Sequence, residues 1–188
     1  LYDFFRLDAR RLFFLVGDVA GKGLSASIFM AVSKALAKSA AVRHPDDDVG
    51  TWMTTVNREI SRDNTEALFV TPYGVGASSE LRRLGGGDGP PLCTVDDFDY
   101  RGEHTFLDPG ELVVLVTDGV TDMRDPSGAM YGRARMEGVL EGRRSPAADA
   151  RSAVDALRGD VQVFAAGAEP ADDLTILAIR WTGRATGR

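Results

Sequence analysis

The sequence predicts an α+β domain, in which antiparallel strands and helices share a core. Three apolar runs, at residues 12–16, 112–116 and 174–179, have the length and composition of buried strands. Between them, apolar residues recur every three or four positions over segments of helical length. The strand-like runs at residues 1–7 and 11–16 are joined by a short polar turn, which is typical of an antiparallel hairpin.

The run at residues 12–16 is the element around which the sequence is organised. Its consecutive apolar residues favour a strand that is covered on both faces. The run leads into Asp18, and Gly21 and Gly23 then permit a tight reversal that a side chain would block. We therefore expect Asp18 at the rim of the core, as either a turn residue or a ligand.

Two helices are expected next. The first runs from residue 24 to about residue 41, and we expect its apolar positions to pack on the sheet. These positions are Leu24, Ile28, Val32, Ala35 and Leu36. The second helix has apolar residues at helical spacing, namely Val49, Trp52, Met53, Val56 and Ile60. Aspartates at positions 46–48 precede it and are expected to cap its N-terminus.

The stretch from Pro72 to Asp108 is rich in glycine and has only weak strand candidates, around Leu81 and Tyr100. Long segments without secondary structure are uncommon inside compact domains. We therefore expect either a lid or a segment that is missing from this sequence near positions 71–72.

Regular structure is predicted again in the last third of the chain. A buried strand that begins at Leu112 is predicted to end in Asp118-Gly119, and the strand that begins at Leu174 directly follows Asp172 and Asp173.

Two helices are predicted between these strands. The first is short and covers residues 133–140. In the second, Ser145 would be the N-cap and Pro146 the first helical residue, and the helix would end near Gly167.

Composition narrows the class of protein. The 188 residues suffice for one domain with its own core. The net charge of -6 disfavours nucleic acid or an anionic membrane surface as a partner. Cys93 is the only cysteine, so no internal disulfide can form and a cytoplasmic location is expected. No apolar run approaches the roughly 20 residues that span a bilayer. Because the chain opens without Met inside a strand-like run, we expect a fragment of a longer protein.

Each of the three apolar strands has an acidic residue at one end. Asp18 and Asp118 follow a strand, whereas Asp172 and Asp173 precede one. If the third strand is antiparallel to the others, these carboxylates meet at one edge. Clustered carboxylates repel unless cations neutralise them, and oxygen ligands select Mg²⁺ or Mn²⁺. Two such ions could activate water and hold a phosphoryl group. The alternative is that each aspartate is an independent turn residue.

The sequence offers few residues for nucleophilic catalysis and only a weak motif for dinucleotide binding. A nucleophilic triad would need His44 or His104, both in predicted loops, and Cys93 is better explained as a small structural side chain. Residues 21–26 match the G-x-G-x-x-A pattern of dinucleotide-binding folds. That function stays a remote alternative, because no strand separates the helix from the acids at 46–48.

Three ordered blocks carry a family resemblance. They are Gly17-Asp18-Val19-Ala20-Gly21-Lys22-Gly23, then Thr117-Asp118-Gly119-Val120-Thr121-Asp122, then Asp172-Asp173-Leu174-Thr175. They resemble the signature motifs of the PPM-type metal-dependent protein serine/threonine phosphatases, and most closely those of the bacterial SpoIIE/RsbU-like branch. Residues 2–5, 69–71 and 108–111 also resemble that branch, so the similarity extends over nearly the whole chain.

The resemblance implies a four-layer α/β/β/α sandwich of two antiparallel sheets flanked by helices. It further implies a site for two Mn²⁺ or Mg²⁺ ions at one end of the sandwich. By this resemblance Asp18 bridges both ions and the backbone carbonyl of Val19 binds one of them. Asp118 and Asp172 would bind the second ion.

Two more acids and a reaction are implied in the same way. Asp122 corresponds to a residue that serves a third, weaker metal ion in some members, and Asp173 is a further candidate ligand. Water activated by the metal ions would hydrolyse phosphoserine or phosphothreonine without a phosphoenzyme. The expected substrate is a phosphorylated regulatory protein of the anti-sigma-factor antagonist type, which implies a role in signal transduction and sigma factor regulation.

The resemblance also implies the domain organisation. Residues 1–182 would be the phosphatase domain and residues 183–188 a tail, with a sensor or receiver domain preceding them. The branch has a further Gly-Asp before residues 1–3 and a hairpin after residues 69–71, and we expect both to be missing from this sequence. A catalytically inactive module with the phosphatase fold, which binds a partner, is the alternative from another functional class.

Overall fold

The structure is a computed structural model that describes ten segments of the chain. These are residues 1–8, 11–21, 23–62, 70–72, 75–77, 81–82, 89–102, 107–142, 149–170 and 172–183. Predictions for Lys22, His104, residues 145–146 and residues 184–188 lie outside these segments. The chain forms two compact units, Leu1–Pro72 with Gly85–His104, and Tyr73–Leu84 with Thr105–Arg188.

The first unit contains an antiparallel sheet of three strands in the order β1-β2-β3. Strand β1 is Tyr2–Arg6, β2 is Leu12–Val19 and β3 is Val70–Pro72. The predicted hairpin is confirmed, since Tyr2 pairs with Val16 and Arg6 with Leu12.

The prediction that β2 is buried on both faces holds for only part of the strand. Phe13 and Val16 are buried, and they point to opposite faces because their separation along the strand is odd. Leu12 at the start of the strand is 46% exposed, so burial does not extend along the whole predicted run.

Helix α1 spans Leu24–Arg43, close to the predicted extent, but the predicted buried face is wrong. Leu24, Ile28 and Val32 are 77%, 55% and 43% exposed. The helix instead buries small residues, namely Ala26, Ser33, Ala37, Ala40 and Ala41. Lys34, Lys38 and Arg43 are its only charged residues, so apolar spacing does not single out one face. Alanines allow a close approach to neighbouring elements, and that packing decides which face is buried.

Helix α2, Val49–Ser61, agrees with its prediction. Trp52, Met53, Val56 and Ile60 are buried in one cluster with Phe13 and the α1 alanines. The carboxylate of Asp48 caps the helix by accepting a hydrogen bond from the backbone N–H of Thr51 at 2.9 Å.

Asn57 of α2 ties a loop to this core. Its side chain is fully buried and donates hydrogen bonds to the carbonyls of Val95, at 2.8 Å, and Asp96, at 2.9 Å. Its carbonyl oxygen accepts a hydrogen bond from the N–H of Cys93 at 2.7 Å. A single buried amide thus satisfies three backbone groups of the loop.

The second unit contains an antiparallel sheet in the order β5-β4-β6-β7. Its strands are β4 at Val75–Ala77, β5 at Leu81–Arg82, β6 at Leu112–Val116 and β7 at Ile176–Arg180. Strand β5 confirms the weak strand candidate around Leu81, whereas the candidate around Tyr100 is wrong, since that residue lies in no strand. Strand β4 was not predicted, because three residues are too few for a periodic pattern to reveal.

Strands β6 and β7 pair antiparallel from Leu112 opposite Arg180 to Val116 opposite Ile176. Strand β6 is buried because it lies between two neighbours, whereas β7 is an edge strand of this sheet and its residues are only half-buried. Strand β2 belongs to the sheet of the first unit, so the sheet that contains β6 and β7 does not include it.

The described residues of the second unit form three helices. They are α3 at Asp118–Thr121, α4 at Arg133–Glu141 and α5 at Ala150–Ala165. The N-cap of α5 is Asp149, whose carboxylate accepts a hydrogen bond from the N–H of Ser152 at 2.6 Å. This corrects the predicted start at Ser145, because an aspartate nearer the apolar positions supplies the cap.

The core of the second unit joins β6, α4 and α5. Its buried members include Val114, Val116, Val120, Met123, Tyr131, Met136, Leu140, Leu157, Val161 and Ala165. At its edge, Asp160 accepts hydrogen bonds from the Tyr131 hydroxyl at 2.8 Å and from Arg135 Nε at 2.7 Å.

The two antiparallel sheets and their helices confirm the α+β class. The arrangement in four layers, and the domain limits at residues 182 and 183, stay predictions. Among the helices within the described segments, none has both the length and the apolar character needed to cross a membrane.

Candidate metal centre

Asp118 does not end a strand, as the sequence suggests, but begins a short helix. Strand β6 stops at Val116, and Thr117 is the N-cap of α3. Asp118 is therefore the first residue of a helical turn directly beyond the buried strand. It is half-buried, so its backbone position is fixed by the core on one side and by the turn on the other.

Thr117 joins this turn to the segment that enters β7. Its side chain is almost fully buried, and its hydroxyl donates to the carbonyl of Asp173 at 3.0 Å. The same hydroxyl accepts a hydrogen bond from the N–H of Thr175 at 3.0 Å. The backbone N–H of Thr117 donates to the carbonyl of Thr175 at 3.1 Å. One buried threonine thus holds residues 173–175 against the turn that carries Asp118.

Gly119 lets the two segments approach closely. A Cβ atom at this position would lie 2.4 Å from the carbonyl oxygen of Asp173 and 3.3 Å from that of Asp172. Both neighbours are backbone atoms, which cannot rotate away as a flexible side chain could. The glycine of the Asp-Gly pair is therefore required by close packing rather than by an unusual φ angle.

The result is that Asp118 and Asp172 lie side by side. A carboxylate oxygen of each lies within 4.8 Å of the other. Asp118 Oδ1 is buried and has no hydrogen-bond partner in the described part of the chain. A buried oxygen of an anionic group without a partner is unfavourable, and a bound cation would compensate it. This pair of carboxylates therefore suits a hard cation such as Mg²⁺ or Mn²⁺.

Asp122 and Asp173 lie next to this pair along the chain, and both are exposed. The N–H of Asp122 donates to the carbonyl of Asp118 at 2.8 Å, and its Oδ1 accepts from the hydroxyl of Thr121 at 3.1 Å. Asp173 contributes its carbonyl to the contact with Thr117. Their metal-binding role stays a prediction.

Asp18 and Val19 lie at the end of β2 in the first unit. In the antiparallel register Asp18 is opposite Thr71 and Val19 is opposite Val70. Both residues are half-buried. Gly21 and Gly23 follow with φ angles of 105° and 86°, which confirms the glycine-dependent reversal before α1.

Sequence reasoning missed the positioning roles of Thr117 and Gly119. Both stand in the block that carries Asp118, so the motif pointed to their neighbourhood. Their roles depend on contacts with Asp172 and Asp173, which are more than 50 residues away along the chain. Spacing alone could not reveal them.

Comparison with known proteins identifies the family. The sequence model of the family described as "Stage II sporulation protein E (SpoIIE)" matches residues 8–84 and 72–182. These two matches overlap and together cover most of the chain. The chain belongs to the SpoIIE family. The predicted resemblance to bacterial PPM-type, SpoIIE/RsbU-like phosphatases is confirmed.

Two solved structures show the fold of this SpoIIE-family chain. The SiaA-PP2C domain of Pseudomonas aeruginosa is similar with a TM-score of 0.78 and 21% identity, over 95% of this chain and 79% of that one. The PP2C phosphatase domain of SpoIIE from Bacillus subtilis, solved with a fragment of its regulatory domain, gives a TM-score of 0.73 and 17% identity. That match covers 96% of this chain and 57% of the other.

A curated relative is much longer. Protein IcfG of Synechocystis sp. is 23% identical over 224 residues, which include 95% of this chain. The chain spans about a third of that relative, 35% of its length. The fold and family together overturn the dinucleotide-binding alternative, because the sheets of the described segments are antiparallel and the first is not followed by the parallel crossover that such a site needs.

Proposed function

We propose that this SpoIIE-family chain is a metal-dependent protein phosphatase domain, which hydrolyses phosphoserine or phosphothreonine on a regulatory protein. The observation that carries the proposal is the pair of Asp118 and Asp172, whose carboxylates converge while Asp118 Oδ1 stays buried without a partner. Such an oxygen is suited to a cation and has no evident role in stabilising the fold.

The proposed ligands are those that the family motifs indicate. Asp118 and Asp172 would hold one ion of Mn²⁺ or Mg²⁺. Asp18 would bridge this ion to a second one, and the backbone carbonyl of Val19 would bind the second ion. A pair of such ions, when bound, supplies activated water and neutralises charge on a phosphoryl group.

Asp122 and Asp173 have minor roles in the proposed metal site. Asp122 would serve a third, weaker ion, and its exposure fits a ligand that exchanges readily with solvent. Asp173 is the less favoured of the two neighbouring aspartates, because Asp172, the first of the pair before Leu174-Thr175, matches the family motif better.

This chain's own residues supply position and rigidity. Thr117 and Gly119 keep the entry to β7 against the turn of Asp118, so that the two carboxylates need no large rearrangement to bind a cation. Preorganised ligands of this kind reduce the entropic cost of binding. The same contacts would hold the ligands still while the phosphoryl group is transferred to water.

The substrate and its context form the finer part of the proposal. We assign a phosphorylated regulatory protein of the anti-sigma-factor antagonist type as substrate, and a cytoplasmic role in signal transduction that controls a sigma factor. The SpoIIE structure from Bacillus subtilis includes a fragment of a regulatory domain, and this chain covers 57% of that structure's chain. A sensor or receiver domain joined to this chain is therefore part of the proposal.

The test is hydrolysis of p-nitrophenyl phosphate with and without Mn²⁺, together with calorimetric titration of Mn²⁺. Wild type should hydrolyse the ester only with metal. Asp18→Asn and Asp118→Asn should lose activity to background and bind Mn²⁺ at least about tenfold more weakly. Asp99→Asn is the matched control, because Asp99 is an exposed aspartate that pairs with Arg58.

Two results would contradict the proposal. Equal activity in Asp18→Asn and wild type would remove Asp18 from the reaction. Absence of both hydrolysis and Mn²⁺ binding in wild type would favour the inactive phosphatase-fold module, which binds a partner without turning it over.

A further inference from the structure

A cavity of about 350 Å³ lies in the second unit, between the C-terminal end of α5 and the segment that leads to β7. Most of its wall is apolar, formed by Met123, Val161, Ala165, Pro170 and Leu174 among others. Arg158 and Gln162 are the polar side chains on its wall, and both are exposed. The cavity is therefore an apolar space with a polar rim, which is the usual character of a binding site.

The wall of the cavity is well supported. Val161 and Ala165 are buried members of the core of the second unit. Beyond them, α5 ends in a left-handed turn, in which Ala166 has φ 46° and Gly167 has φ 88°. The N–H of Ala168 donates to the carbonyl of Ala165 at 2.8 Å and closes this reversal. The turn is a regular helix ending, so the cavity is bordered by fixed backbone.

The cavity adjoins both segments that carry the candidate ligands of the second unit. Leu174 in its wall lies two residues after Asp172, and Met123 directly follows Asp122. Two residues of chain span at most about 7 Å. A peptide with its phosphoryl group at Asp118 and Asp172 could therefore reach the cavity with a side chain only a few residues away.

We propose that this cavity binds one apolar side chain of the phosphoprotein substrate and selects for it at a fixed distance from the phosphorylated residue. The inference rests on the proposed function. The volume lies at the small end of the range for ligand pockets, which starts at about 300 Å³. It is large enough to take one leucine-sized side chain. Arg158 and Gln162 would hydrogen-bond the peptide backbone at the rim.

The experiment uses a series of phosphoserine peptides in an alanine-rich background. One leucine is moved through positions up to about four residues on either side of the phosphoserine, which corresponds to a reach of roughly 14 Å. Wild-type chain with Mn²⁺ should prefer leucine at one or two adjacent positions by about tenfold in kcat/KM over the all-alanine parent. The same preparation is assayed on p-nitrophenyl phosphate, which has no side chain to place in the cavity.

Two variants locate the preference. Ala168→Phe puts an aromatic ring into the cavity, and within this variant the ratio of kcat/KM for the preferred leucine peptide to that for its alanine parent should fall to about one. Gln162→Trp blocks the rim from an exposed position and should reduce the ratio in the same way if Ala168→Phe fails to fold. Val163→Phe is the matched control, because Val163 is 74% exposed on α5 and is not among the residues that line the cavity.

The outcomes separate the two proposals. Hydrolysis of p-nitrophenyl phosphate with a flat leucine profile would overturn the subsite and leave the phosphatase function standing. A leucine preference that survives both cavity variants, or that Val163→Phe abolishes, would also overturn the subsite. If wild type hydrolyses neither the peptides nor p-nitrophenyl phosphate, the phosphatase function is overturned, and the subsite with it.

Discussion

Gly119→Ala is the substitution that most directly tests how the candidate metal centre is held. The added Cβ would lie 2.4 Å from the carbonyl oxygen of Asp173 and 2.9 Å from its carbonyl carbon. Ordinary contacts begin at 3.4 Å, so the contact with the oxygen is about 1 Å too short. Because both atoms are backbone, relief requires the segment of Asp172 and Asp173 to move away from the turn of Asp118.

That movement would stretch or break the hydrogen bonds that Thr117 makes to the same segment. Its hydroxyl is bonded both to the carbonyl of Asp173 and to the N–H of Thr175, each at 3.0 Å. Overpacking of this kind costs about 1–3 kcal/mol of unfolding free energy. Displacement of a ligand by its supporting residues weakens metal binding by about 10–100-fold. We therefore expect Gly119→Ala to be destabilised within the first range and to bind Mn²⁺ more weakly within the second.

Urea denaturation and calorimetric Mn²⁺ titration measure the two effects. Gly159→Ala is the matched control, since a Cβ at that position in α5 meets nothing within 4 Å. Replacing glycine by alanine inside a helix stabilises by up to about 1 kcal/mol, so the control should gain stability and keep its metal affinity. The close-packing argument is wrong if Gly119→Ala matches wild type in both measurements, or if Gly159→Ala shows the same losses.

One further prediction is made for the first unit and one for the second. Asn57→Ala should lower the unfolding free energy by about 2–4 kcal/mol in urea denaturation, because three hydrogen bonds from a buried side chain to the loop are lost; a change under about 0.5 kcal/mol would contradict that role. The hydrogen bond from Arg135 holds the pKa of Asp160 below its usual 3.8. Ionised Asp160 therefore stabilises the fold above pH 3.8, and this contribution is lost as the pH falls through the lower folded-state pKa. The stability difference between wild type and Asp160→Asn should shrink over that acid range, and a difference that is constant with pH would refute the assignment.

The sequence predicted the elements whose apolar residues form a continuous run or a regular pattern. The β1–β2 hairpin, helix α2 and the strands β6 and β7 were recognisable in this way, whereas the antiparallel pairing of β6 with β7 entered only as a condition for a shared acidic edge. The acidic pair of Asp118 and Asp172 was predictable on that condition. Once β6 and β7 are antiparallel neighbours, the residues after one and before the other must share an edge.

Other features depend on contacts that spacing does not encode. In α1 the large apolar residues Leu24 and Ile28 are exposed and alanines are buried, since the helix is apolar around much of its surface and close packing selects the face. Strand β4 has only three residues, and it exists because β6 offers an edge for pairing. The sequence pattern of α1 is too uniform to reveal the buried face, and that of β4 is too short to reveal a strand.

The register of β6 and β7 brings two of the family blocks to one edge of the sheet. Val116 lies opposite Ile176, so the chain leaves β6 toward Asp118 at the same edge where it arrives at β7 from Asp172. Antiparallel pairing brings the two segments near each other, but by itself it does not set the distance between carboxylates. Thr117 and Gly119 set that distance, the first by bonding to the β7 segment and the second by leaving room for it. The threonine and the glycine that flank Asp118 thus position the two carboxylates of the proposed cation site.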